Sequence, residues 1–181
     1  DSLQPITDAF NVGDVEKAEL KILLHYLGLH TVAETHEDLL SQAARRNWSH
    51  KKFLEALASA EAATKKERSV QARIATAHFP VVKTIDSFDF GFPKAIPKEQ
   101  VLAAFALDFL ERHEGFVITG GPGTGKSHLA SALGYAACLR GVRTRFTSAV
   151  DMVNDLQAAL NAGRLTNAMQ VYRQPRLLII D

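Results

Sequence analysis

The feature that most constrains the fold of this chain is a glycine-rich segment at residues 120–127, which fits the spacing G-x-x-x-x-G-K-[ST] at each fixed position. The apolar run Phe116–Thr119 precedes it and predicts a short buried strand. A helical pattern follows, from about Lys126 to Arg140. A strand, a glycine loop and a helix in this order are typical of a parallel α/β sheet with its ligand at one edge.

Each residue type in this segment has a chemical reason to bind phosphate. Glycine lets the backbone bend and approach an anion closely, and successive N–H groups can then point inward. The helix that begins near Lys126 adds its positive N-terminal end. Lys126 can reach the β- and γ-phosphates, and the Ser127 hydroxyl can ligate Mg²⁺. The segment predicts a site for ATP with magnesium, with these binding residues: Gly121, Pro122, Gly123, Thr124, Gly125, Lys126 and Ser127.

A second candidate element is the apolar run Leu177–Ile180, which ends in Asp181. Many buried strands end in Asp, but on a chain with a phosphate-binding loop this pattern predicts the Walker B strand. Asp181 would then hold the magnesium ion, usually through water. We expect Lys126 and Asp181 to carry the catalytic roles in this sequence. A Glu directly after Asp181 would orient the attacking water, but Asp181 is the last residue of this sequence. The sequence therefore supports ATP binding directly and ATP hydrolysis only by inference.

His128 follows the loop directly and has two interpretations. It could contact a phosphate or the base, and we include it among the candidate nucleotide-binding residues. An ordinary helix-surface or core histidine is the more common role of a lone His. The other histidines show no metal-binding spacing.

The remaining pattern predicts a helical N-terminal part and an alternating α/β part. Residues 1–13 look irregular, and Asp14 predicts the start of a helix that ends at Gly28. Further helices are expected at residues 36–44, from Ser49 to Pro80, and through Leu102, Phe105, Phe109 and Leu110. The later elements are a strand over 142–147, helices over 149–161 and from 163 to about 172, and a strand over 177–181. We expect three regions: a helical domain over 1–79, a linker strap over 80–97, and the ATPase core from 98 to 181.

The strap contains aromatic residues that alternate with small or polar ones, namely Phe88, Phe90 and Phe92. Aromatic side chains in a connector usually pack against a neighbouring domain, so we expect the strap to pack on the core that follows it.

Charge is distributed unevenly in the N-terminal part. Residues 1–44 carry two basic and eight acidic residues, a net charge of −6, whereas residues 45–73 carry eight basic and three acidic ones, a net charge of +5. Basic residues along one helix suit contacts with a phosphate backbone. A solvated helix face with ion pairs such as Glu61–Lys65 is the alternative. The candidate DNA contacts are Lys51, Lys52, Lys65, Lys66, Arg68 and Arg73.

Composition adds a few limits. Hydrophobic residues make up 46% and charged residues 23%, the balance of a globular protein, and no apolar run is long enough for a membrane span. The single cysteine, Cys138, is expected to be a small buried residue and fits a reducing cytoplasm. The sequence begins without Met and is expected to be a fragment at both ends.

The residues now described resemble the IstB family of AAA+ ATPases. The similarity includes Gly120–Ala130, Ala132–Gly134, Gly141–Phe146 and Leu177–Asp181. The most specific part is upstream, in Ala77–Pro80 and Lys83–Phe90, because phosphate-binding loops are shared by many families. The resemblance covers roughly residues 50–181, and residues 1–45 show no such match.

The resemblance implies an initiator-type AAA+ fold, a P-loop NTPase sheet flanked by helices and preceded by a small all-helical domain. It implies a bacterial cytoplasmic ATPase that binds ATP and Mg²⁺. Such a protein would assemble on double-stranded DNA as a homo-oligomeric ring or helical filament, and would recruit and activate a transposase. It also implies that the helices over 149–172, with Arg164, face nucleic acid. Two alternatives stay open: a DnaC-like helicase loader, and an ATP-gated assembly scaffold with little hydrolysis.

Overall fold

The computed structural model describes residues 17–91 and 96–181. The chain divides into two compact units, Asp1–Arg68 and Ser69–Asp181. The expected helix start at Asp14 and the strap residue Phe92 lie outside the described residues. The domain boundary expected at residue 79 stays a prediction.

Unit 1 is helical in its described part. Its elements are α1 (Lys17–Tyr26), α2 (His30–Arg45) and the larger part of α3 (His50–Ala77). Gly28, with φ of 70°, follows α1 as its position in the sequence predicts. Along α3 one face is half-buried, with Phe53, Leu57, Ala60 and Thr64.

Helix α2 begins at His30, six residues before the start expected at residue 36. The extra turns are stabilised from a distant position, since the buried Glu61 of α3 accepts hydrogen bonds from the N–H groups of Thr31 (2.8 Å) and Val32 (3.0 Å). A carboxylate at a helix N-terminus satisfies free amides and complements the helix dipole. Because Glu61 is 29 residues away from Val32, no local pattern could reveal this cap.

The Glu61 contacts predict a pH-dependent stability for unit 1. Burial alone would raise the pKa of Glu61, but the amides of Val32 and Thr31 and the Lys65 ammonium outweigh it and hold the pKa below its ordinary 4.5. This stabilisation is fully present above pH 4.5 and is lost as the pH falls through the lowered folded-state pKa. Glu61→Gln should therefore lower the protection of the Thr31 and Val32 amides against hydrogen exchange at pH 6, and the difference from native should shrink progressively as the pH falls below 4.5.

Glu55→Gln is the matched control, because Glu55 is exposed and pairs with Lys51 at 3.8 Å on the same helix. It removes the same charge and should leave both amides protected. Equal loss of protection in the two variants would contradict the capping role of Glu61.

Unit 2 contains the end of α3, a short 3₁₀ turn at Ile85–Ser87, and a two-stranded sheet with surrounding helices. The helices are α4 (Lys98–Ala104), α5 (Asp108–Glu111), α6 (Lys126–Leu139), α7 (Ala149–Asn161) and α8 (Leu165–Arg173). Strand β1 (Thr144–Thr147) pairs in parallel with β2 (Leu177–Ile180), with Thr144 opposite Leu177 and Thr147 opposite Ile180. The core joins α5, α6 and β2 through these buried residues: Leu107, Phe109, Leu110, Leu133, Ala137 and Leu177.

The predictions for the later elements are confirmed except near the glycine loop. Helix α7 has the expected bounds and is capped by Ser148, whose Oγ accepts from the Asp151 N–H at 3.0 Å. The helix expected through Leu110 is interrupted, since Leu107 has φ of 67° and separates α4 from α5.

The strand expected at Phe116–Thr119 is wrong for this structure. This segment pairs with no other segment of the described residues, and Val117 is 86% exposed. An apolar run forms a strand only where a neighbour completes its hydrogen bonds. Instead, the segment borders a cleft of about 910 Å³, which is also lined by Leu129 and Leu133 of α6. The sheet is therefore smaller than expected.

Two simpler expectations concern single features. Cys138 is fully buried in α6, as expected for a small apolar side chain. Within the described ranges, no helix is both long and apolar enough to cross a membrane.

Candidate nucleotide-binding site

The glycine loop has the backbone conformation that its sequence requires. Gly123 and Gly125 have φ values of 72° and 84°, in the left-handed region where a side chain is disfavoured. Gly125 is the residue directly before α6, which begins at Lys126. The loop thus delivers its backbone to a helix N-terminus, which attracts anions through its free N–H groups and the helix dipole.

Two side chains fold back over this loop. The Lys126 ammonium donates to the carbonyl oxygen of Gly121 at 2.8 Å, and the Thr124 hydroxyl donates to the same oxygen at 2.9 Å. The ammonium therefore lies within reach of an anion held by the loop amides. Gly121, Pro122 and Gly123 are exposed, so their backbone is accessible to a ligand.

The sheet brings the second predicted element to the loop. Asp181 directly follows β2 and continues its pairing, since its N–H donates to Thr147 O at 3.0 Å and its carbonyl accepts from Ala149 N at 2.9 Å. This places the Asp181 Oδ1 atom 3.0 Å from the Ser127 Oγ atom, across 54 residues of sequence. The structure thus brings Asp181 to Ser127, the residue that follows Lys126 in the loop.

The Ser127 and Asp181 oxygens are chemically suited to magnesium. A hydroxyl and a carboxylate are hard oxygen donors, and Mg²⁺ is usually bound by one or two such groups together with waters and substrate phosphates. Among the described residues no group of three or more His, Cys, Asp or Glu side chains could hold a metal by itself. A metal here would therefore depend on the phosphates of a bound nucleotide.

The Nε2 atom of His128 lies within hydrogen-bond distance of two strap residues, Thr84 and Ser87. That atom lies 3.2 Å from the Thr84 carbonyl oxygen and 3.3 Å from the Ser87 hydroxyl. Because a carbonyl only accepts, the geometry requires the proton on Nε2. The Phe88 ring packs edge-on against the His128 ring, with centroids 5.2 Å apart. The contacts of His128 in the structure are therefore with residues of the strap. Its expected contact with a nucleotide stays a prediction.

The candidate DNA-contacting lysines lie on α3 in unit 1. Lys51, Lys52, Lys65 and Lys66 are exposed and share the side opposite its half-buried face. Three of these lysines also interact with nearby side chains, two through ion pairs and one through a cation–π contact. Lys51 pairs with Glu55 at 3.8 Å, Lys65 with Glu61 at 3.7 Å, as expected, and Lys52 lies 5.2 Å from the Trp48 ring centroid. The Lys65 pairing belongs to the helix-face alternative, and its partner Glu61 is buried. The Lys51–Glu55 pair is exposed on both sides and is therefore weak.

The candidate arginines are in three different settings. Arg68 is exposed on α3, whereas Arg73 is half-buried and donates from Nε to Cys138 O at 3.1 Å and from Nη1 to Ser69 Oγ at 2.6 Å. Arg73 therefore ties the end of α3 to α6. Arg164 is exposed between α7 and α8 and borders a cleft of about 450 Å³.

The strap residues against α6 are the contacts that sequence reasoning did not locate. A Cβ atom on Gly125 would lie 2.6 Å from the Phe88 ring, and one on Gly134 would lie 2.6 Å from the Phe79 ring. The alternating aromatics predicted that the strap packs on the core, but they did not identify the glycines that receive the rings. Thr84 and Ser87 carried no signal of their contact with His128.

Comparison with known proteins agrees with the motifs. The profile of the family described as "IstB-like ATP binding protein" matches residues 22–181. An inferred ATP-binding protein of insertion sequence IS5376 from Geobacillus stearothermophilus is 37% identical over 157 residues, 87% of this chain and 62% of that protein. An inferred insertion-sequence ATP-binding protein of Sinorhizobium fredii is 36% identical over 92% of this chain and 56% of its own length.

A third relative, the inferred IS21 ATP-binding protein of Pseudomonas aeruginosa, is 34% identical over 90% of this chain and 62% of its own length. The chain thus spans about three fifths of the length of these relatives. The family match covers most of the chain, including the loop, Ser127 and Asp181. The chain therefore belongs to the IstB-like ATP-binding protein family.

Proposed function

We propose that this chain binds ATP with magnesium and acts as a DNA-dependent ATPase that helps a transposase. The observation that carries the proposal is the 3.0 Å approach of Ser127 Oγ to Asp181 Oδ1, at a loop whose Lys126 ammonium lies 2.8 Å from the Gly121 carbonyl oxygen. These three groups are the charge and oxygen donors that a nucleoside triphosphate with its metal requires. The family match supports the ATP-binding part directly.

Each residue of the site would have a distinct task. The amides of residues 121–127 hold the phosphates at the start of α6, and Lys126 exchanges the Gly121 carbonyl for the β- and γ-phosphate oxygens. Ser127 and Asp181 would hold Mg²⁺, which would neutralise charge that develops on the phosphates during hydrolysis.

The proposed action on DNA rests on the exposed lysines of α3 and on the names of the relatives. Lys51, Lys52, Lys65 and Lys66 present positive charge on one helix side. Such a row neutralises phosphates without reading base sequence. The relatives are named as proteins of insertion sequences, which are mobile DNA elements. Homo-oligomerisation on duplex DNA and recruitment of a transposase are the corresponding partner proposals.

Salt dependence tests the DNA contacts of α3. Replacing Lys65 and Lys66 together by Ala should weaken binding to every duplex sequence and should reduce the slope of log K against log salt by about 2, because about one counterion is released per phosphate contact. Fluorescence anisotropy over a salt series measures both quantities.

Lys21→Ala serves as the control for this experiment, since Lys21 is a unit 1 lysine that pairs with Glu34 at 2.9 Å. It should leave DNA affinity and slope close to native. A native slope in the Lys65/Lys66 variant would contradict the assignment of these lysines to DNA.

Two alternative functions are separated by direct measurements. A helicase loader would co-precipitate with a replicative helicase rather than with a transposase. An ATP-gated scaffold would assemble on DNA with ATP yet release almost no phosphate over the same period. An oligomer size that does not respond to ATP would contradict the proposed function and the scaffold alike.

A further inference from the structure

Two aromatic rings, one just before the strap and one in it, pack on glycines of the loop–α6 segment, all within unit 2. Phe79, just before the strap, packs on Gly134 in the middle of α6 and lies edge-on to Phe146 of β1, with ring centroids 6.1 Å apart. Phe88 packs on Gly125, the residue directly before α6. Between these points Val81 and Val82 are exposed by 56% and 48%, and Lys83 is exposed as well.

The contact near the loop combines packing with hydrogen bonds. Phe88 packs against both His128 and Phe90, with centroid distances of 5.2 Å and 4.9 Å. The His128 Nε2–H group donates to Thr84 O at 3.2 Å, and the Ser87 hydroxyl donates to the same oxygen at 2.8 Å. His128 therefore fixes the 3₁₀ turn of the strap to the first turn of α6.

This contact acts on the part of the loop that would hold phosphate. Gly125 has φ of 84° and lies directly before α6, where the free N–H groups of a helix N-terminus are available to an anion. The Phe88 ring occupies the space beside the Gly125 Cα atom, where a Cβ atom would come within 2.6 Å. A docked strap therefore restricts Gly125 to fewer conformations, and a loop already in its binding conformation loses less entropy when it binds an anion.

We propose that His128 and Phe88 are positioning residues that couple the strap to nucleotide binding, so that docking of the strap and binding of ATP with magnesium strengthen each other. The inference rests on the proposed ATP binding and goes beyond it, because it gives the strap a regulatory role at that site. The coupling is reciprocal by thermodynamic linkage. If ATP strengthens docking of the strap by a given factor, then displacement of the strap by a partner weakens ATP binding by the same factor.

Limited trypsin digestion of the full chain tests the coupling, because Lys83 is an exposed cleavage site between the two attachment points. In the native chain, ATP with magnesium should slow cleavage after Lys83 by roughly tenfold, a typical size for coupling between sites. Cleavage after Lys66, an exposed lysine in α3, should not change and reports on general unfolding. ATP affinity is measured in parallel with a fluorescent nucleotide.

Three variants separate positioning from simple folding defects. His128→Leu keeps apolar bulk but loses the donor, and should weaken ATP binding by roughly five- to tenfold and abolish most of the protection at Lys83. His128→Gln keeps an N–H donor near the Nε2 position and should restore both. Phe88→Leu should likewise lose most of the protection that ATP gives against cleavage after Lys83. This second variant keeps the test valid if His128→Leu does not fold.

The outcomes distinguish the two proposals. Native ATP affinity and native protection in both His128→Leu and Phe88→Leu would overturn the coupling while leaving ATP binding intact. ATP binding by the native chain without any protection at Lys83 would also overturn it. A native chain that binds no ATP would contradict the proposed function itself, and the coupling with it.

Discussion

Replacing Lys126 by Ala should weaken ATP binding by about 10- to 150-fold, the worth of a hydrogen bond to a charged group. The Lys126 ammonium lies over the loop, 2.8 Å from the Gly121 carbonyl oxygen, and is the cation placed to meet the phosphates. The variant should fold normally, because a positive charge in the first turn of α6 opposes the helix dipole. Equilibrium titration with a fluorescent ATP analogue measures the loss, and urea unfolding checks stability.

Lys83→Ala is the matched control for this variant. It removes the same charge from an exposed position in the strap and should leave ATP affinity within about twofold of native, as expected for a surface substitution. Equal affinities of the Lys126 and Lys83 variants would exclude the loop as the phosphate site.

Replacing Gly134 by Val should destabilise unit 2 by about 2 kcal/mol, because overpacking of a filled core costs about 1–3 kcal/mol while Val gains only a few tenths over Gly in helix propensity. A Cβ atom at residue 134 would lie 2.6 Å from the Phe79 ring and 2.7 Å from the Ile179 methyl group. The Phe79 ring has little room to shift, since it also packs edge-on to Phe146. The midpoint of urea unfolding measures the effect.

Gly115→Val is the corresponding control, because no atom lies within 4 Å of a Cβ built at residue 115. Its stability should stay within about 0.5 kcal/mol of native. If both valine variants unfolded at the native urea concentration, the close packing of Phe79 on α6 would be incorrect.

The sequence predicted most of the helices and the grouping of the site residues because those features depend on local chemistry. The spacing of glycines, Lys126 and Ser127 is a property of one loop, and Asp181 at the end of an apolar run is a property of one strand. Parallel pairing of β1 with β2 then brings Asp181 to Ser127, as the general rule for ligands at strand ends predicts.

The features that sequence reasoning missed depend on distant partners. The extra turns of α2 require Glu61, and the conformation of Phe116–Thr119 depends on whether another strand lies beside it. The role of His128 depends on Thr84, 44 residues earlier, and a lone histidine carries no pattern that names such a partner. Side-chain contacts across the fold are set by packing, which local periodicity does not encode.

The most direct test of the account is an equilibrium titration of the native chain with labelled ATP, with and without magnesium. The native chain should bind one nucleotide saturably, and this binding should be displaced by unlabelled ATP and weakened when a chelator removes magnesium. The Ser127→Ala and Asp181→Asn variants should lose the magnesium effect while retaining some binding. Failure of the native chain to bind ATP, or a magnesium effect that persists in both variants, would contradict the assignment of Lys126, Ser127 and Asp181 to one site.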